Sequence, residues 1–234
     1  KFVRGRTLRE SIREYHKLCA DGLGSPLQFH ELLHSFVAVC RAMGYAHTKR
    51  VLHRDLKSEN VMVGQFGEVI LLDWGLAKVF SDKETQIDVS VVELTEKGQA
   101  EVTGIGRILG TPSYMAPEQA TGRLDLVDVR TDVYGLGAIL FEILTNRPPH
   151  RGTDLTALLQ SISNGPRPLA CDNNATVPPA LNAVCGKALE LDRKDRYQSA
   201  IELANDVARW LADEPVTVYQ EPWLDRAARW VRRH

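Results

Sequence analysis

The chain has no C-x-x-C pair, no apolar run of membrane-spanning length, no internal repeat, no low-complexity segment and almost no net charge. Each absence removes a class. Four cysteines (Cys19, Cys40, Cys171, Cys185) without paired spacing supply no disulfide framework and read as reduced, buried thiols of a cytosolic protein. A net charge of -1 gives no electrostatic reason to expect a nucleic-acid partner. The longest apolar run, around "YGLGAILFEILT", is too short for a bilayer and carries Glu142, so it reads as a core helix. No signal-peptide pattern opens the sequence, and the expected location is cytoplasmic. The first residue is Lys1 rather than Met, as expected of a fragment or a trimmed chain.

What is present is ordinary globular material: 44% hydrophobic and 25% charged over 234 residues, enough for one large domain or two modest ones. Helix signals dominate. "TLRE" and "SPLQ" are capping boxes that predict helices from Leu8 toward Cys19 and from Pro26 onward. In the second, Phe29, Leu32, Leu33, Phe36, Cys40 and Met43 recur at helical spacing and predict one buried face. Residues 61–63 and 68–72 read as a β-hairpin about Gly64-Gln65-Phe66-Gly67. Residues 80–109 form a long polar stretch without periodicity. Residues 131–145 predict a central helix, apolar nearly all round. Further helices are expected near 154–163 and 179–190, and a last one after Ser199, where "SAIE" is a third box.

Pairing the hairpin brings Asn60, just before its first strand, close to Asp73, just after its second, with Asp55 on the loop leading in. Two oxygen ligands beside a second carboxylate suit a hard cation such as Mg²⁺ and the handling of phosphate charge.

These stretches carry a resemblance. "HRDLKSEN" (53–60), "DWG" (73–75), "GTPSYMAPEQ" (110–119), "DVYGLGAILFEILT" and "DRKDR" (192–196) occur in the order found in the C-terminal lobe of a eukaryotic-type (Hanks-type) serine/threonine protein kinase of the bacterial branch. The resemblance implies a mainly α fold with a short β-hairpin carrying the catalytic and metal loop. It implies ATP with Mg²⁺ or Mn²⁺ as cofactors and proteins as substrates. Asp55 would accept the substrate hydroxyl proton, Lys57 would steady the transferring phosphate, and Asn60 and Asp73 would hold the metal. Met62 would lie under the adenine. By the same resemblance, Lys57 and Gly110-Thr111 would favour Ser/Thr over Tyr substrates. Glu118 would pair with Arg196, Asp132 would brace the catalytic-loop backbone, and His53 would stack with Trp74 as structural core, next to Gly75. Arg54 would meet a phosphorylated activation-segment residue, for which Thr103 is the local candidate. Two departures stand out: Trp74 replaces the usual Phe, and Ser58 stands where Pro is common and reads as neutral.

The domain reading is a hinge remnant at 1–6, the kinase lobe at 7–214 with its activation segment at 73–118, and a basic amphipathic segment at 215–234. Only 52 residues precede His53, too few for the Gly-rich loop, strand Lys and helix Glu that clamp ATP from above. "TGIGRILG" and Lys78 follow "DWG" and do not supply them, so the chain alone is expected to be inactive. The alternative is a non-catalytic interaction module. A third reading, a zinc peptidase, rests on "HELLH" (30–34), with His30 and His34 one helical turn apart and Glu59 as third ligand on paper. In the tail, arginines at 226, 229, 232 and 233 alternate with Trp223, Leu224, Ala227, Trp230 and Val231. It reads either as a surface helix packing its tryptophans on the lobe or as the juxtamembrane segment of a membrane-anchored parent.

Overall fold

The computed structural model describes residues 5–79, 112–152 and 154–223. The chain begins with strand β1 (Gly5–Thr7) and helices α1 (Leu8–Ala20) and α2 (Pro26–Thr48). Both helices start where the capping boxes predict. Thr7 accepts the Glu10 N–H while the Glu10 carboxylate accepts the Thr7 N–H, and Ser25 and Gln28 repeat the exchange. The third box is half made. Ser199 caps the Glu202 N–H, but the Glu202 carboxylate accepts from Gln198 instead.

Strands β2 (Val51–Leu52), β3 (Val61–Gly64), β4 (Val69–Leu71) and β5 (Lys78–Val79) follow. The hairpin expected at 61–72 is β3–β4, turning at Gly67 with φ +80°. It is larger than the sequence suggests. β1 adds a third strand on the far edge of β3, with Gly5 opposite Gly64, so the predicted hinge segment ends inside a sheet. A Cβ on Gly5 would lie 2.5 Å from the Val63 carbonyl, and glycine permits that close backbone approach.

Beyond a short helix α3 (Pro117–Ala120) runs α4 (Val129–Thr145), followed by α5 (Leu155–Asn164), α6 (Pro179–Ala188) and α7 (Ala200–Leu211). From Thr131 to Thr145 every residue of α4 is buried. α2, α6 and α7 pack round it, and α2 lies along α7. Gly137 is where α4 meets α6, since a Cβ there would stand 2.8 Å from the Ala188 Cβ. The expected central helix is therefore the axis of the core.

Several expectations change. Only Cys40 and Cys185 are buried; Cys19 is exposed and Cys171 partly so, and all four are free. Trp223 is exposed rather than packed on the lobe. The polar stretch 80–109, with Thr103 in it, Thr111, and the tail from 224 onward lie outside the described residues. Among the described residues no helix is long and apolar enough to cross a membrane.

One buried base follows from this packing. His150, 2% exposed, shares a 2.6 Å hydrogen bond between its Nε2 and the Tyr134 hydroxyl and faces Ser161 Oγ with Nδ1 at 3.5 Å. Burial pushes its pKa down from 6.5 to about 4. The unfolded chain therefore binds more protons between those values. The neutral ring's contribution is complete above about pH 6.5 and is lost as pH falls toward 4. The full difference is on the order of 3 kcal/mol. His150→Gln, which keeps a hydrogen-bonding partner for Tyr134, should flatten the fall in urea midpoint between pH 7 and pH 4.5 relative to the parent. Equal slopes in the two proteins would contradict it.

Candidate active site

The loop from His53 to Asn60 crosses between β2 and β3 and is fixed from below by α4. Asp132, 2% exposed, accepts the His53 N–H at 3.0 Å and the Arg54 N–H at 2.9 Å, and His47 Nε2 at 2.8 Å completes its shell. This grip holds Arg54 at φ +68°, a left-handed conformation that a non-glycine residue adopts only where surroundings impose it. Gln119, from α3, adds a bond to the Arg54 carbonyl at 2.8 Å.

Above that anchor, Asp55 (8% exposed) receives Lys57 Nζ at 2.9 Å. Asn60 turns its amide nitrogen back on the loop, donating to the Asp55 carbonyl at 3.0 Å and lying 3.4 Å from Asp55 Oδ2. Leu72 N–H bonds the Asn60 carbonyl at 2.8 Å, so the ladder continues one step past the strands and delivers Asp73 to the same end of the hairpin. Asp73 sits in the left-handed region at φ 57°, with Oδ1 capping the Gly75 N–H. Neither Asn60 Oδ1 nor Asp73 Oδ2 accepts a hydrogen bond among the described residues. Two oxygens of that kind suit a hard cation. Met62 pairs with Ile70 on β4 and Thr7 on β1 in the middle of the sheet, half-buried.

His53 and Trp74 do meet, at 4.8 Å between ring centroids, but tilted by 53°. Their surroundings differ: His53 is fully buried and donates to the Leu72 carbonyl, whereas Trp74 is 40% exposed. Trp74 is not core, because it leaves the sheet on the short turn after Asp73 and ties only its Nε1 to Leu71 O.

Glu118 and Arg196, 78 residues apart, form a buried bidentate pair at 2.8 and 2.9 Å. The remaining Arg196 donors reach the Glu190, Arg130 and Leu191 carbonyls, and its plane covers Tyr134 at 4.9 Å. Thr131 supplies Glu118 with a further donor. Arg54 is the contrast: its Nε is buried without a partner among the described residues, and burial lowers its pKa against the pull of Asp132.

One cluster escaped the sequence reading. Glu142, 2% exposed, accepts Ser58 Oγ at 2.6 Å and the Tyr114 hydroxyl at 2.7 Å, with Arg9 Nη1 at 3.0 Å. Burial raises its pKa, opposed by those two hydrogen bonds and by Arg9. A lone Glu inside an apolar helix was the available signal, and its partners come from 28 to 133 residues away. Ser58 is therefore not a neutral replacement. The "HELLH" pattern assembles nothing: His30 packs edge-on against Trp210, His34 and Glu31 are exposed, and no metal-suited group of three His, Cys, Asp or Glu occurs among the described residues.

Comparison with known proteins gives this arrangement a family. The model of the protein kinase domain matches residues 4–207. The chain is 38% identical over 218 residues to the serine/threonine-protein kinase PknD of Protochlamydia amoebophila, covering 90% of this chain and 22% of that protein. It is 33% identical over 210 residues to PknB of Mycolicibacterium smegmatis, covering 89% and 29% respectively. The match thus spans less than a third of either relative. Over most of its own length, this chain belongs to the protein kinase family.

Proposed function

We propose that the protein carrying this chain transfers the γ-phosphoryl group of ATP to serine and threonine hydroxyls of proteins, and that residues 1–234 are its helical lobe. The observation that carries the reading is the convergence of Asp55, Lys57 and Asn60 on one buried turn, with Asp73 delivered to the same end of the hairpin. Asp55 takes the substrate hydroxyl proton as the new P–O bond forms, and Lys57 offsets charge on the transferring group. Asn60 and Asp73 offer the oxygens that would hold Mg²⁺, which when bound neutralises phosphate charge. Met62 supplies an apolar floor for a base. The left-handed Arg54, with its buried Nε, suits an anion on the activation segment, such as a phosphorylated Thr103. The names of the relatives, serine/threonine-protein kinases, support the substrate class. A cytoplasmic location, with an anchor beyond the basic tail, belongs to the same proposal.

Strand β1 and helices α1 and α2 occupy residues 5–48. The glycine-rich loop and the lysine over the phosphates are accordingly assigned to chain outside 1–234. Purified residues 1–234 with Mg-ATP and a generic protein substrate should show no Asp55-dependent phosphorylation. Robust transfer abolished by Asp55→Asn would overturn the one-lobe assignment while upholding the chemistry.

A further inference from the structure

Ser58 lies between Lys57 and Asn60, is fully buried, and makes its 2.6 Å bond to a residue 84 positions away. The same Glu142 oxygen accepts the Tyr114 hydroxyl, at the start of the segment leading to Glu118. Arg9 Nη1 stands within 3.0 Å of Glu142, Tyr114 and Glu59, closing the cluster from α1. One carboxylate on the buried central helix thus holds two separate pieces of chain by one oxygen. Backbone geometry does not require serine here: Lys57 is extended at φ -154°, ψ 159°, a conformation that also suits the residue before proline. The hydroxyl is what serine adds.

We propose that Ser58 is a positioning residue, whose hydroxyl couples the Lys57–Asn60 turn to Tyr114 through the shared Glu142 oxygen. The inference deepens the phosphoryl-transfer reading, since the turn it fixes carries the groups assigned to phosphate and metal. Moving the turn shifts Lys57 and Asn60 together relative to Asp55, while the nucleotide-binding floor at Met62 stays in its sheet. Coupling of this kind is reciprocal: what Ser58 does to Tyr114, Tyr114 must do to Ser58.

The test uses the protein that carries this chain, with Ser58→Ala, Ser58→Pro, Tyr114→Phe and the Ser58→Ala/Tyr114→Phe pair. Hydrogen exchange should rise about tenfold in 112–119 when Ser58 loses its hydroxyl, and about tenfold in 57–60, but not in the strand that follows, in Tyr114→Phe. Turnover should fall about tenfold in each single variant with KM for ATP within about twofold. The pair should be no worse than the more damaged single, because both act through one acceptor. Ser58→Pro, which the extended Lys57 backbone accommodates but which lacks the hydroxyl, should behave as Ser58→Ala. Full turnover in Ser58→Pro, additive losses in the pair, or exchange confined to the mutated segment would overturn the coupling. A parent protein without phosphoryl transfer would instead defeat the functional reading, and the exchange measurements would then decide the coupling alone.

Discussion

Arg196→Met should lower the unfolding free energy by about 3–5 kcal/mol, the usual cost of removing one partner from a buried ion pair. For a domain of this size that is roughly 10 °C or more in melting temperature. Five donors of Arg196 are all engaged, three on backbone carbonyls and two on Glu118, with the side chain fully buried. Methionine fills much of the space but leaves Glu118 with Thr131 as its remaining donor from this cluster. Glu118→Leu strands the guanidinium instead and should cost a similar amount. The double substitution Glu118→Leu/Arg196→Met should cost clearly less than the two single losses added, because no charge is then left alone. Arg196→Lys should not rescue: an ammonium has three donors and no planar fork to match the carboxylate. Thermal and urea melts of the five proteins decide it, and additive losses would show that the pair is not the coupled unit described.

Asp55→Asn should reduce phosphoryl transfer by the protein carrying this chain by about 10²–10⁴-fold, the usual worth of a positioned general base. The change keeps the size of the side chain and exchanges one oxygen for a nitrogen beside Lys57 Nζ and Asn60 Nδ2. Its melting temperature should stay within about 2 °C of the parent, since the loop is gripped independently by Asp132. A stable variant with undiminished transfer would remove Asp55 from the chemistry. A variant that unfolds would contradict the separation of the loop's anchor from its reactive edge. Metal competition adds a check: ATP-dependent binding of Mn²⁺ should weaken in Asp73→Asn far more than in Asp55→Asn, because Asp73 is the carboxylate assigned to the metal.

Sequence reading was accurate where the physics is local. A capping box closes within four residues, so Thr7 and Ser25 announce their helices without help from the fold. The third box marks its helix but closes on one side only, since the Gln198 N–H takes the Glu202 carboxylate. The loop and hairpin motifs made Asp55, Asn60 and Asp73 legible, but their mutual placement rests on a ladder step between Leu72 and Asn60 that periodicity alone does not give. β1 was missed as a strand because three residues carry no alternation to detect; its partner β3 lies more than fifty positions away. Ser58 and Glu142 show in sequence only as a departure from the common Pro and as a lone charge in an apolar helix, and that they bond to each other is a tertiary fact.

The enclosure of α4 also bears on how this protein can be made. A helix wrapped by α2, α6 and α7 has its earliest partner synthesised before it and its last cover only when residue 211 has left the ribosome. Throughout that interval a nearly all-apolar segment has part of its surface bare, the condition under which nascent chains stick to one another or are held by chaperones. Termination between residues 146 and 199 would therefore leave α4 without its α7 cover, a bared apolar face of the kind that promotes aggregation.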